Sequence, residues 1–89
     1  MDPIELAGRA TAEGLGPLLE ALWWDARGAW TRAHECAQSV ETPDGAWVHA
    51  YLHRKEGDLM NADYWYRRAG KRRPAASLVE EWAEIARAF

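Results

Sequence analysis

The sequence predicts an all-α domain, and three observations carry that prediction. Val and Ile together number only five in 89 residues, and no stretch alternates apolar and polar residues over the length of a strand. Apolar residues recur instead three and four apart, as in Trp30, Ala33, Ala37 and Val40, or Leu78, Trp82, Ile85 and Phe89. Residues that start and stop helices punctuate these runs.

Taken in order, Asp2 precedes Pro3 and is followed by Glu5, which predicts a capped helix running to about Glu13, where Gly14 and Gly16 break it. Pro17 opens a second helix, "PLLEALWWDAR", stopped by Gly28. The stripe of "AWTRAHECAQSV" makes a third, interrupted by "ETPDG". Thr42 caps a fourth helix that begins at Pro43, tolerates Gly45 in its first turn and lasts to Glu56. Gly57-Asp58 turns the chain into a fifth, with Leu59, Ala62, Trp65, Tyr66 and Ala69 on one face and Gly70 at its end. After the basic loop "KRRP", Ser77 and Glu80 form a capping box for the last helix. The expected core is Leu22, Trp30, Ala33, Ala37, Tyr51, Ala62, Tyr66 and Trp82, with Trp82 and Ile85 closing the open edge of the last helical pair.

Shifting the chain by 29 residues superposes Ala21 on Ala50, Gly28 on Gly57 and Ala33 on Ala62, and Leu22, Trp23 and Trp30 on Tyr51, Leu52 and Leu59. Residues 17–40 and 43–69 therefore read as two copies of one helix–Gly–helix hairpin. Small residues at matched places let antiparallel helices approach closely. "EGDLMNADYWYRRAGKRRP" resembles the turn and second helix of a tetratricopeptide repeat, on Gly57, Leu59, Ala62, Tyr66, Ala69 and Pro74. The first copy keeps Gly28, Trp30 and Ala33 and has Ala37 where that family usually has an aromatic residue. The "WVHAYLHRKEGDL" segment is also similar to segments of small bacterial proteins, a likeness that implies no activity. The repeat resemblance implies two hairpins of a tetratricopeptide-like array flanked by N-terminal and C-terminal capping helices. It further implies a scaffold that binds a peptide or protein segment in a groove, with neither catalysis nor a cofactor.

Composition bounds the alternatives. The length suits one domain, residues 1–89, with a thin core, and six Trp supply the area such a core needs. A net charge of −3 does not by itself call for a nucleic-acid or membrane partner. Five cations cluster as Arg67, Arg68, Lys71, Arg72 and Arg73, which suits a helix C-terminus running into a solvated loop. Nucleic-acid binding is not expected from that run alone, for no recognised module accompanies it. One cysteine, Cys36, rules out an intramolecular disulfide and suits a reducing, cytoplasmic setting. No apolar stretch approaches a membrane span, and "MDPIELAGRA" has an acid where a signal peptide needs basic residues and no long apolar block after it, so no signal peptide is expected.

The best candidate for chemistry is His49 and His53, one helical turn apart, with Glu56 three residues on. All three are expected on one side of the fourth helix, roughly opposite Trp47, Val48, Tyr51 and Leu52. Such a set could chelate a divalent transition metal. Yet "HAYLH" has Ala50 where a zinc protease carries its glutamate, and two imidazoles with one carboxylate fall short of a structural shell. The expectation is therefore no metal and no cofactor. His34 and Cys36 diverge by about 200° around a helix and make no pair. Neither Cys36, Ser39 nor Ser77 has a visible activating partner, so no enzyme is expected. The leading expectation is a non-enzymatic interaction module whose small groove presents Trp24, His49, His53 and Glu56 to a protein or peptide, self-association being left open. The alternative is a helical metal-binding protein using His49, His53 and Glu56.

Overall fold

The computed structural model describes all 89 residues as six helices and no strand. In chain order these are α1 (Pro3–Gly8), α2 (Pro17–Ala26), α3 (Trp30–Gln38), α4 (Pro43–Glu56), α5 (Leu59–Arg68) and α6 (Leu78–Ala88). Their ends follow the local chemistry. The Thr42 hydroxyl accepts from the Gly45 amide, Asp58 accepts from the Asn61 amide, and Ser77 with Glu80 forms the reciprocal capping box. Gly28 and Gly57 both take a left-handed backbone, φ 77° and 89°, which lets the chain reverse without Cβ strain.

Two turns thus define two helix pairs. α2 packs on α3, α4 packs on α5, and α3 packs on α4 to join the pairs. Ala21, Ala33, Ala50 and Ala62 are fully buried, and their small side chains allow these close approaches. α4 is the central element. Every residue from Gly45 to His53 is buried, because α3, α5, α2 and α6 surround it. Its weak amphipathicity follows from burial on all sides. Gly45 is sterically demanded as well, since a Cβ there would lie 1.9 Å from the Val40 carbonyl oxygen.

Two buried carboxylates tie the layers together. Glu81 on α6 accepts from the Trp47 indole, the Arg54 guanidinium and the Tyr66 hydroxyl. Asp25 on α2 accepts from the Tyr51 hydroxyl and the Lys55 ammonium, at 2.8 and 2.9 Å. Burial, and then these carboxylates, push both tyrosine hydroxyls well above their ordinary pKa.

The structure departs from expectation in three places. α1 ends at Gly8 rather than near Glu13. Arg9 is extended there, and its carbonyl accepts from the Trp23 indole at 3.0 Å and from Arg27, bonds a continuing helix would forfeit. α6 packs on α1, α2 and α4, and Trp82 donates to the Leu22 carbonyl of the first pair at 3.1 Å. It therefore spans both pairs instead of closing the edge of the second alone. Trp30 and Trp82 are half-buried, each donating its indole to a backbone carbonyl from the rim of the core, whereas the other six expected core residues are buried.

Candidate functional site

The junction of α3 and α4 gathers the chain's three histidines. On α3, Trp30 donates its indole N–H to the Leu52 carbonyl of α4 at 2.8 Å, which pins the two helices in register. One turn on, His34 stacks on Trp30 with ring centroids 4.9 Å apart and an interplanar angle of 15°. On α4, His49 and His53 stand one turn apart with centroids 4.8 Å apart. The His34 ring lies 4.5 Å from His49 and 5.2 Å from His53. Its Nε2 meets the His49 Nε2 at 2.9 Å. One ring nitrogen from each histidine falls within 4.8 Å of the other two.

Each ring is held from behind. His49 stacks on Trp65 of α5 at 3.9 Å and 15°. His53 Nδ1 lies 2.7 Å from the Glu56 carboxylate, which fixes its N–H on that side and puts its lone pair on Nε2, where an ion would displace the Asn61 amide. The Asn61 amide nitrogen is 3.4 Å from that Nε2 and matches the same tautomer. A carboxylate behind a histidine is the arrangement that orients metal-ligating imidazoles and raises their basicity.

Burial favours the uncharged form of His34 and His49. Burial, then the neighbouring His34, His53 and Arg68, pulls His49 down to about 4. Burial and His53 also lower His34, against the opposing pull of Glu56 and Glu35. At neutral pH both are uncharged, and since one of the two Nε2 atoms donates to the other, that ring would move its proton to Nδ1 on taking an ion. Imidazole donors suit Zn²⁺, Cu²⁺, Ni²⁺ and iron. Around a tetrahedral ion with bonds of about 2.0–2.1 Å, ligand nitrogens stand roughly 3.3 Å apart. The His34–His49 contact would open by a few tenths of an ångström and the longer separations would close, movements that side-chain rotation can supply.

The expected site residues divide. His49 and His53 do share the cluster, but both are buried, 5% and 7% exposed, rather than displayed on an open side. The reason is that α4 is covered all round. Glu56 is exposed and bonds to His53 rather than standing as an independent ligand. It also lies near His53 and Asp58, but Asp58 is engaged in capping α5. Trp24 is engaged elsewhere, donating to Glu20 at 3.0 Å, edge-on to Trp23 and covered by Arg32. Cys36 is pushed up to about 11 by burial and Glu20, a protonated thiol with no nucleophilic character at neutral pH.

The residue that the expected site left out is His34, whose convergence with His49 and His53 separates the metal reading from the interaction reading. A signal for it exists, because it stands one turn from Trp30 and next to Ala33 on the stripe that faces α4. Its presence removes the ground for expecting no metal, which was an incomplete ligand set. A cavity of about 560 Å³ touches the cluster at His49 alone, with Trp65, Arg68, Gln38 and Glu41 also on its walls. No helix is long and apolar enough to cross a membrane. Set against protein-family models, curated proteins and solved structures, the chain matches none, so a functional reading rests on this geometry.

Proposed function

We propose that this protein is a small helical metal-binding protein that holds one divalent first-row transition ion through His34, His49 and His53. One observation carries the reading: three imidazoles from two helices converge, with ring nitrogens within 4.8 Å of one another. Stacking on Trp30 and Trp65 and the Glu56 bond to His53 supply the preorganisation that a chelating site needs. The ligands straddle the two helix pairs, so ligation would couple to stability. Chelated protein titrated with Zn²⁺ should release heat at a single site and melt higher, with about 2.7 kcal/mol of stabilisation at a hundredfold excess over Kd. His34→Ala, altering a half-buried side chain, should keep the helical circular dichroism and lose the Zn²⁺ response. A melting curve indifferent to Zn²⁺, or wild-type affinity in His34→Ala, would overturn the proposal.

A second reading, the tetratricopeptide-like interaction module, draws support from matched features of the two pairs. Gly28 and Gly57 are both left-handed, and Ala21, Ala50, Ala33 and Ala62 share complete burial. On that reading the accessible anchors are Trp24 and Glu56, with His49 and His53 acting from beneath the surface. Capture of a native partner that survives Trp24→Ala would count against it.

A further inference from the structure

We propose that the remaining coordination position of the ion takes a small monocarboxylate from solution, paired in charge with Arg68 inside the cavity beside His49. This rests on the metal reading above. Three imidazoles leave a tetrahedral ion one ligand short, and they neutralise none of its charge. That position takes water or an anion, and an anion offsets the charge that the imidazoles leave. Glu56, the carboxylate beside the cluster, is bonded to His53 Nδ1.

The cavity offers what such an anion requires. Its volume of about 560 Å³ lies in the range of small-molecule sites. Arg68 stands in the last turn of α5 with its guanidinium 4.9 Å from the Trp65 ring centroid, and it donates to the Tyr64 hydroxyl at 3.0 Å. Those contacts hold the guanidinium beside the indole on which His49 stacks. Its charge is close enough to help depress His49. Arginine presents a planar fork that matches a carboxylate.

Two features select a monocarboxylate over phosphate. Ala37, Ala46 and Trp65 give an otherwise polar cavity one apolar side that a wholly polar anion would leave unused. Glu41 on the same rim repels a dianion more than a monoanion. The occupant is thus a carboxylate carrying a compact apolar body, with its oxygen on the ion and its body against Trp65.

The test uses Co²⁺ as a spectroscopic stand-in, with benzoate, acetate and inorganic phosphate as probes. Benzoate should change the visible absorption of the Co²⁺-loaded protein saturably, acetate more weakly and phosphate least. Arg68→Ala changes an exposed side chain, so it should bind Co²⁺ normally while losing about tenfold or more in benzoate affinity. Arg68→Lys should recover part of that loss. If Co²⁺ binds but its spectrum ignores benzoate, the inference falls and the metal site stands. Phosphate binding tighter than benzoate, or full benzoate affinity in Arg68→Ala, would also overturn it. If Co²⁺ itself fails to bind, both the metal reading and this inference fall.

Discussion

Acid should destabilise the metal-free protein through His49 in a way that can be isolated. In the unfolded chain this imidazole titrates near its ordinary value of about 6.5. In the fold, burial and the nearby His34, His53 and Arg68 hold it down at about 4. Above about pH 6.5 both states are uncharged there, and the group has no effect on stability. As pH falls from about 6.5 to about 4, the unfolded chain takes up a proton that the folded chain refuses. Stability is therefore lost across that window. A separation of about 2.5 units corresponds to roughly 3 kcal/mol. His34, also lowered, adds in the same direction. The assay is urea unfolding followed by tryptophan fluorescence, with chelator present, at several values between about pH 7.5 and about pH 4.5. His49→Gln forfeits the Trp65 stack, so it should be weaker at every pH, but its fall on acidification should be shallower by roughly 2–3 kcal/mol. The carboxylates are the same in both proteins and largely cancel in the comparison. Equal pH slopes would refute the reasoning, for they would mean that the buried ring titrates as it does in the open chain.

Other perturbations test the frame around the site. Tyr66→Phe keeps the ring but removes the hydroxyl 2.7–2.8 Å from both Glu81 oxygens, and should cost about 1.5–3 kcal/mol in urea unfolding. Tyr64→Phe, at an exposed position, should cost under about 0.5 kcal/mol in the same assay. Gly45→Ala drives a Cβ against the Val40 carbonyl and should cost about 3 kcal/mol, seen as a lowered melting temperature. Ala33→Leu and Ala62→Leu each overfill a fully buried helix contact and should cost about 1–3 kcal/mol, so unchanged melting in both would contradict the assigned helix faces.

Much of the fold was legible because short-range chemistry decides it. Thr42, Asp58 and Ser77 each cap the helix their position announces, and Gly28 and Gly57 turn the chain where their left-handed backbone is needed. Where long-range bonds intervene, local rules fail. The early end of α1 depends on Trp23 and Arg27 reaching back to the Arg9 carbonyl, partners fourteen and eighteen residues away. The seat of α6 depends on Trp82 finding the Leu22 carbonyl sixty residues upstream. Helical periodicity alone cannot name either partner.

The histidine cluster was only half legible for a related reason, and that reason limits how many ions the chain can hold. His49 and His53 declare themselves by their spacing along one helix, but His34 joins them only through the packing of α3 on α4. In the 29-residue register, His49 and His53 fall on Glu20 and Trp24, and His34 falls on Asp63. These counterparts have other employment. Trp24 donates to Glu20, and Asp63 pairs with Arg73 at 3.3 Å. The cluster therefore belongs to the single junction between the helix pairs, not to either pair. The adjacent group of His53, Glu56 and Asp58 shares His53 with it and cannot hold a second ion at the same time. Native mass spectrometry of the Zn²⁺-loaded protein should accordingly show one ion per chain and none in His34→Ala. Two tightly held ions per chain would place ligation outside the α3–α4 junction and undo the assignment.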